Sequence, residues 1–207
     1  MALAQLVYVH DPMCSWCWAF MPSWNALIPA LPEGIQTKRL LGGLAPDSNR
    51  PMLKEMQMRI SQTWRFIEAE HGTPFNHEFW ERCQPVRSTY PACRAVIAAR
   101  FWNAEEAMIR AIQEAYYLKA QNPSVPETLL QCAHELGLPI EPFAERLYSE
   151  HTDNELMQEI RQGQDLGANG FPSLILLHQN SRYPIRVDYN DPSVMVERIS
   201  RALAAKR

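Results

Sequence analysis

The first apolar run, Leu6-Val7-Tyr8-Val9, is short and β-rich, and His10-Asp11-Pro12 closes it with turn and helix-start residues. It predicts a strand that leads straight into a helix. From Ser15 to Leu31 the apolar positions continue at Trp16, Trp18, Phe20, Trp24, Leu27 and Ile28, and Pro22 is expected to kink or interrupt this first helix. Ile35 to Leu41 reads as a second strand, ended by Gly42-Gly43. Between about Pro51 and Gly167 helical stretches follow one another without a convincing strand. The clearest is Asn103 to Lys119, where Ala104, Ala107, Met108, Ala111, Ile112, Ala115 and Tyr116 fall on one face. Glu127 to Leu136 and Asp153 to Leu166 are further helices; Thr152 and Glu155 stand at capping-box spacing before the last, and Gly167 fits its end. After Gly170-Phe171-Pro172, Ser173 to Leu177 reads as a strand, Tyr183 to Val187 as its hairpin partner, and Asp191-Pro192 as the cap and first residue of a final helix.

Strands thus occupy only the two ends of the chain. The order β, α, β, helical insert, β, β, α predicts an α/β protein with a central mixed sheet. Residues 1–50 and 168–207 would form the sheet-containing domain, and 51–167 a helical insertion domain. At 207 residues and 46% hydrophobic composition the chain is large enough to bury such a core. A net charge of -3, without a block of like charge, supplies no long-range attraction for nucleic acid or an anionic membrane, and neither is expected as a partner. Met1 to Gln5 lacks the basic and apolar segments of a signal peptide, and no apolar stretch is long enough to span a bilayer. The expected location is cytoplasmic.

Five cysteines are too few for a disulfide-stapled scaffold of this size, so their arrangement carries more weight than their number. Cys14-Ser15-Trp16-Cys17 is a C-x-x-C pair at a helix start. Residues three apart in a first turn share a face, close enough for a disulfide to open and close. The free backbone N–H groups and the positive end of the helix dipole favour thiolate at the N-terminal position. Cys14 is therefore the expected attacking sulfur, and Cys17, a turn further in, the thiol that resolves the mixed disulfide. A zinc site would need a second C-x-x-C or a close Cys/His pair, which the sequence lacks, so no metal is expected. Cys83, Cys93 and Cys132 read as buried small apolar residues.

A strand ending at Pro12 before the cysteine pair, with Gly170-Phe171-Pro172-Ser173 before a late strand, resembles the thioredoxin superfamily and more closely its DsbA-like branch. The segments Tyr8 to Trp18 and Leu41-Gly42-Gly43-Leu44 resemble the cytosolic FrnE-like members. This implies a thioredoxin-like fold with a large all-helical insertion, and thiol–disulfide oxidoreductase or disulfide isomerase activity on protein or peptide thiols. It also makes Pro172 the family's cis-proline facing the redox pair, with Phe171 lining the same substrate surface. The dipeptide Ser15-Trp16 departs from the Pro-His usual in DsbA, so strong oxidising power is not carried over.

Trp16, between the cysteines, is the aromatic expected at the substrate rim, whereas Trp18, Phe20 and Trp24 are expected to fill the helix–sheet core. His10 and Asp11 lie close enough to tune the thiolate or relay a proton, and each also reads as a strand-end or turn residue. No bound cofactor is expected beyond the redox-active disulfide itself, recycled by glutathione or thioredoxin. Two other functions compete. Relatives of the same architecture, the kappa-class glutathione transferases and 2-hydroxychromene-2-carboxylate isomerases, typically place serine where Cys14 stands, so the intact pair argues against them. A non-catalytic holdase or adaptor would use the aromatic surface and the insert, with the cysteines incidental.

Overall fold

The computed structural model describes residues 4–204. A four-stranded sheet holds β1 (Ala4–His10), β2 (Ile35–Leu41), β3 (Ser173–His178) and β4 (Ser181–Ile185) in the order β2-β1-β3-β4. β1 runs parallel to β2 and antiparallel to β3, and β3 is antiparallel to β4, so the sheet is mixed as expected. The parallel β1–β2 pair is joined by α1 (Ser15–Ala30), and α9 (Pro192–Ala204) follows β4. Between β2 and β3 come α2 (Lys54–His71), α3 (Phe79–Arg82), α4 (Tyr90–Arg100), α5 (Glu105–Tyr117), α6 (Pro126–Glu135), α7 (Ile140–Leu147) and α8 (Glu150–Asp165).

The continuous apolar run of β1 follows from burial on both sides. Leu6 and Tyr8 face a core shared with Phe20, Trp24 and Leu27 of α1 and Met195 and Ile199 of α9. Val7 and Val9 face the other way, with Leu40 and Ile175, and Gly163 of α8 approaches Val9 closely. The helices between β2 and β3 enclose the largest core, around Trp64, Phe79, Val96, Met108, Tyr117 and Phe143.

Four details differ from the sequence reading. α1 continues without interruption through Pro22 and Pro29, both on its exposed side, where the lost hydrogen bonds are easily met by water. β4 starts two residues early, because Gln179 and Asn180 both take positive φ (50° and 59°) and close a two-residue hairpin with His178 opposite Ser181. α5 starts at Glu105, since Asn103 takes φ 54° and breaks the preceding helical path. α8 is capped by Ser149, whose side chain accepts from the Thr152 amide, while Thr152 lies inside the helix and Glu155 instead pairs with Arg100.

Candidate active site

The turn between β1 and α1 presents the cysteine pair. Cys14 is the N-cap of α1, in extended conformation, and Cys17 lies one turn in. The Cys14 amide donates to the Asp11 carbonyl at 3.1 Å, and the Trp18 amide donates to the Cys14 carbonyl at 3.0 Å, which starts the helix. Both sulfurs are free thiols. They are not equivalent: Cys14 keeps 7% exposure and Cys17 1%. Hydrogen bonding from Cys17 holds the Cys14 thiol below its ordinary value, helped by the Cys17 and Trp16 amides and opposed by burial and the Asp11 charge. Burial pushes Cys17 well above the ordinary thiol range. The proton therefore leaves Cys14 first.

Across from the pair, the Phe171-Pro172 peptide bond is cis, and the Phe171 carbonyl accepts from Cys14 Sγ at 3.5 Å. The Phe171 ring rests against the backbone at Gly42, just past the end of β2, where a β-carbon would overlap it. Gly42 is thus required by close approach. Trp16 is half-buried in a cluster with Phe66 (6.1 Å) and His71 (5.9 Å) at the end of α2 and with Tyr189 (5.3 Å) before α9. Cys14, Trp16 and Phe171 line one groove of about 310 Å³, whose other wall includes Arg59 and Thr63 of α2 and Arg87 before α4.

Asp11 is more than a turn residue. Its carboxylate is fully buried and accepts from the Met13 amide (2.8 Å), the Leu44 amide (2.7 Å) and the Thr89 hydroxyl (2.6 Å), with the Cys93 thiol at 3.5 Å. It clasps the cysteine turn to the chain after β2 and to the start of α4. Burial raises its pKa, and those hydrogen bonds partly restore it. His10 is buried too, and desolvation, with Arg39 and Arg100, pushes its pKa down to about 3. A neutral imidazole adds no charge to stabilise a Cys14 thiolate, so of the two neighbours only Asp11 acts on the thiols electrostatically, and it disfavours their ionisation.

Phe20 and Trp24 occupy the sheet-side core as expected, but Trp18 does not. It turns toward the insert, stacking on Tyr117 at 5.6 Å and donating from Nε1 to the Pro74 carbonyl at 3.0 Å. Cys93 and Cys132 are buried, and Cys83 is half-buried, donating to the Ala120 carbonyl at 3.1 Å. Sequence reasoning missed Arg59, Thr63 and Arg87, which belong to segments with no local motif. It also gave no role to Thr89, whose hydroxyl donates to Asp11. Among the described residues no cluster of side chains is suited to hold a metal, and no helix is long and apolar enough to cross a membrane.

Comparison with known proteins places this geometry. The ClpXP adapter protein SpxH of Halalkalibacterium halodurans is 24% identical over 176 residues, covering 82% of this chain and 57% of that protein. The chain thus spans little more than half the length of the curated relatives it matches. Among solved structures, a candidate protein disulfide isomerase from Nitrosomonas europaea is 27% identical with a TM-score of 0.82, covering 97% of this chain and 98% of that one. The cytosolic disulfide reductase DsbM from Pseudomonas aeruginosa, solved also with GSH, has the same fold at 24% identity and a TM-score of 0.77, covering 97% of this chain and 98% of its own. A family model described as thioredoxin matches residues 7–196. Matched from its first strand into its last helix, the chain belongs to the thioredoxin family.

Proposed function

We propose that the protein is a thiol–disulfide oxidoreductase that exchanges disulfides with protein or peptide substrates through Cys14 and Cys17. The observation that carries this reading is the asymmetry of the pair: a sulfur with lowered pKa at a helix N-cap, facing a groove, and a buried partner thiol one turn behind it. In reduction, the Cys14 thiolate attacks one sulfur of a substrate disulfide, a Cys14–substrate bond forms, and the other substrate sulfur leaves with the electron pair. Cys17 then attacks Cys14, closing the intramolecular disulfide and releasing the second substrate thiol. Trp16, Phe171 and Pro172 bound the surface on which the substrate lies, and the backbone at the cis bond is available to pair with a peptide.

The oxidised pair needs an electron donor. Arg59 and Arg87 give the groove beside Cys14 two cations, which suit the carboxylates of glutathione. The GSH complex of DsbM supports the same donor, and its cytosolic setting favours reduction over oxidation here. Thioredoxin is the alternative donor. A measured reduction potential of the Cys14/Cys17 couple, by thiol trapping in glutathione buffers, tests the reading. A value near about -270 mV fits a reductase, and one near about -120 mV an oxidant. Turnover of oxidised insulin should disappear in both Cys14→Ala and Cys17→Ala; full activity in either would overturn the mechanism.

A second reading draws on the adapter name of the curated relatives and on Phe66, which stays 54% exposed beside Trp16. As an adaptor or holdase the protein would bind other proteins through this face. Suppression of client aggregation that survives loss of both cysteines would favour it over catalysis.

A further inference from the structure

The groove in front of Cys14 has two unlike walls. Trp16 and Phe171, from the cysteine turn and the loop before β3, make one of them apolar; α2 and the segment leading into α4 bring Arg59, Thr63, Arg87, Ser88 and Thr89 to the other. The polar side chains of this second wall divide into two groups. The Thr63 hydroxyl donates to the Arg59 carbonyl at 3.0 Å, the Ser88 hydroxyl accepts from the Ser48 amide at 3.3 Å, and the Thr89 hydroxyl donates to Asp11. Arg59, which is exposed, and Arg87, which is half-buried, have no ion pair and no hydrogen bond among the described residues.

Elsewhere the chain closes its arginines on carboxylates: Arg39 on Glu106, Arg94 on Asp47 and Asp153, Arg100 on Glu105, Glu155 and Glu159. Among the described residues that line the groove none is acidic. The net charge of the chain is -3, so this cationic wall runs against the balance of the molecule. The main influences on the acidity of Cys14 are hydrogen bonding from Cys17, burial, the Asp11 charge and the Trp16 amide, so the two arginines are not what makes that thiol acidic. Open guanidiniums beside a reactive sulfur are suited to carboxylates that arrive with the substrate.

We propose that Arg59 and Arg87 are specificity-determining residues that select disulfides whose attacked half-cystine is flanked by carboxylates, so that the protein substrates are segments with Asp or Glu close to the cysteine. The proposal rests on the reading of Cys14 and Cys17 as the redox pair, and adds which substrate, and which of its two sulfurs, is taken. The acidic segment lies in the groove with its carboxylates toward the arginines and its own sulfur at Cys14. The Cys14 thiolate attacks that sulfur. The new S–S bond forms as the substrate S–S bond breaks, and the other half leaves with the electron pair and takes a proton from solvent. The acidic half stays joined to Cys14 until Cys17 displaces it. Glutathione, as donor, carries carboxylates on both sides of its cysteine and takes the same seat in turn, so substrate and donor exclude each other. A lysine-flanked segment meets two like charges there and is rejected.

The test uses one molecule that carries both choices. A peptide disulfide is made with one half flanked by Asp and Glu and the other half, of different mass, flanked by Asn and Gln. Full-length Cys17→Ala protein, which cannot resolve the adduct, is reacted with it, and mass spectrometry of the acid-quenched product shows which half is joined to Cys14. Reaction of 2-mercaptoethanol with the same peptide gives the partition set by thiol acidities alone. Two ion pairs of ordinary surface strength should shift that partition toward the acidic half by about threefold to thirtyfold at low salt, and added sodium chloride should shrink the shift. With Arg59→Gln and Arg87→Gln together, the partition should return to that of 2-mercaptoethanol. With Arg59→Glu and Arg87→Glu, a lysine-flanked half should be captured in preference to a neutral one. Both halves compete within one molecule, so a general loss of activity in a variant leaves the ratio unaffected. A partition equal to that of 2-mercaptoethanol while both arginines are present, or an acidic bias that survives either double substitution, overturns the proposal. If neither half becomes joined to Cys14, the reading of the redox pair itself fails, a different result from capture without selection.

Discussion

His10 shows how far one side chain's surroundings outweigh its place in the sequence. At the end of an apolar run it looks like a turn residue; folded, it is 2% exposed and its Nε2 has no partner among the described residues. Burial, with Arg39 and Arg100, lowers its pKa from 6.5 to about 3. The unfolded chain therefore takes up the proton at a higher pH than the folded one. The contribution to stability is fully present above about pH 6.5 and is lost, at about 1.4 kcal/mol per pH unit, as the pH falls toward 3. Urea denaturation of wild type and His10→Gln at a series of pH values checks this. Stability should fall more steeply in wild type across that window, and parallel curves would place the acid sensitivity elsewhere. Asp11 has the opposite sign. Its raised folded pKa means that its protonated form is favoured on folding, a gain present below pH 3.8 and lost as the pH rises through the folded value.

At the scale of elements, the site depends on the end of β2 meeting the loop before β3. Gly42 admits the Phe171 ring, and the next peptide carries the cis-proline opposite Cys14. Gly42→Ala should push that ring away, at about 1–3 kcal/mol of overpacking, and displace the carbonyl that Cys14 Sγ meets. The checks are the urea midpoint and the alkylation rate of Cys14 against pH; a variant with wild-type values in both would show that the loop is not held by this contact. These elements were legible in the sequence because their signals are local: an apolar run before Pro12, two cysteines three apart, a Gly-Phe-Pro before a strand. The clasp of Asp11 on Leu44 and Thr89 was not, since its partners lie 33 and 78 positions away and nothing in their local sequence points to a buried carboxylate. Trp18 was misplaced for a related reason: helical spacing puts it on an apolar face without saying which of two cores that face meets.

Across the whole molecule, the sheet and the helices between β2 and β3 are tied at several points. Trp18 stacks on Tyr117, Asp11 holds Thr89, Glu159 accepts from the Leu41 amide at 2.7 Å, and Arg39 pairs with Glu106. Two of these ties bury their polar partners, where breaking one side of the contact is costly. The expected result is one cooperative transition. Far-UV circular dichroism and the fluorescence of the six tryptophans, three in α1 and three in or beside the helices between β2 and β3, should report the same urea midpoint. Separated midpoints would mean that the two parts unfold independently.

The contact between Cys14 Sγ and the Phe171 carbonyl spans 157 positions of chain. During synthesis β1 acquires its neighbour β3, and Cys14 the loop that faces it, only after more than 150 further residues have been made. Until then the local contributions of the helix start, the Cys17 thiol and the Cys17 and Trp16 amides act on Cys14 without the burial that opposes them and raises Cys17 in the folded protein. The full environment of the two thiols is thus completed by residues made long after the C-x-x-C segment itself.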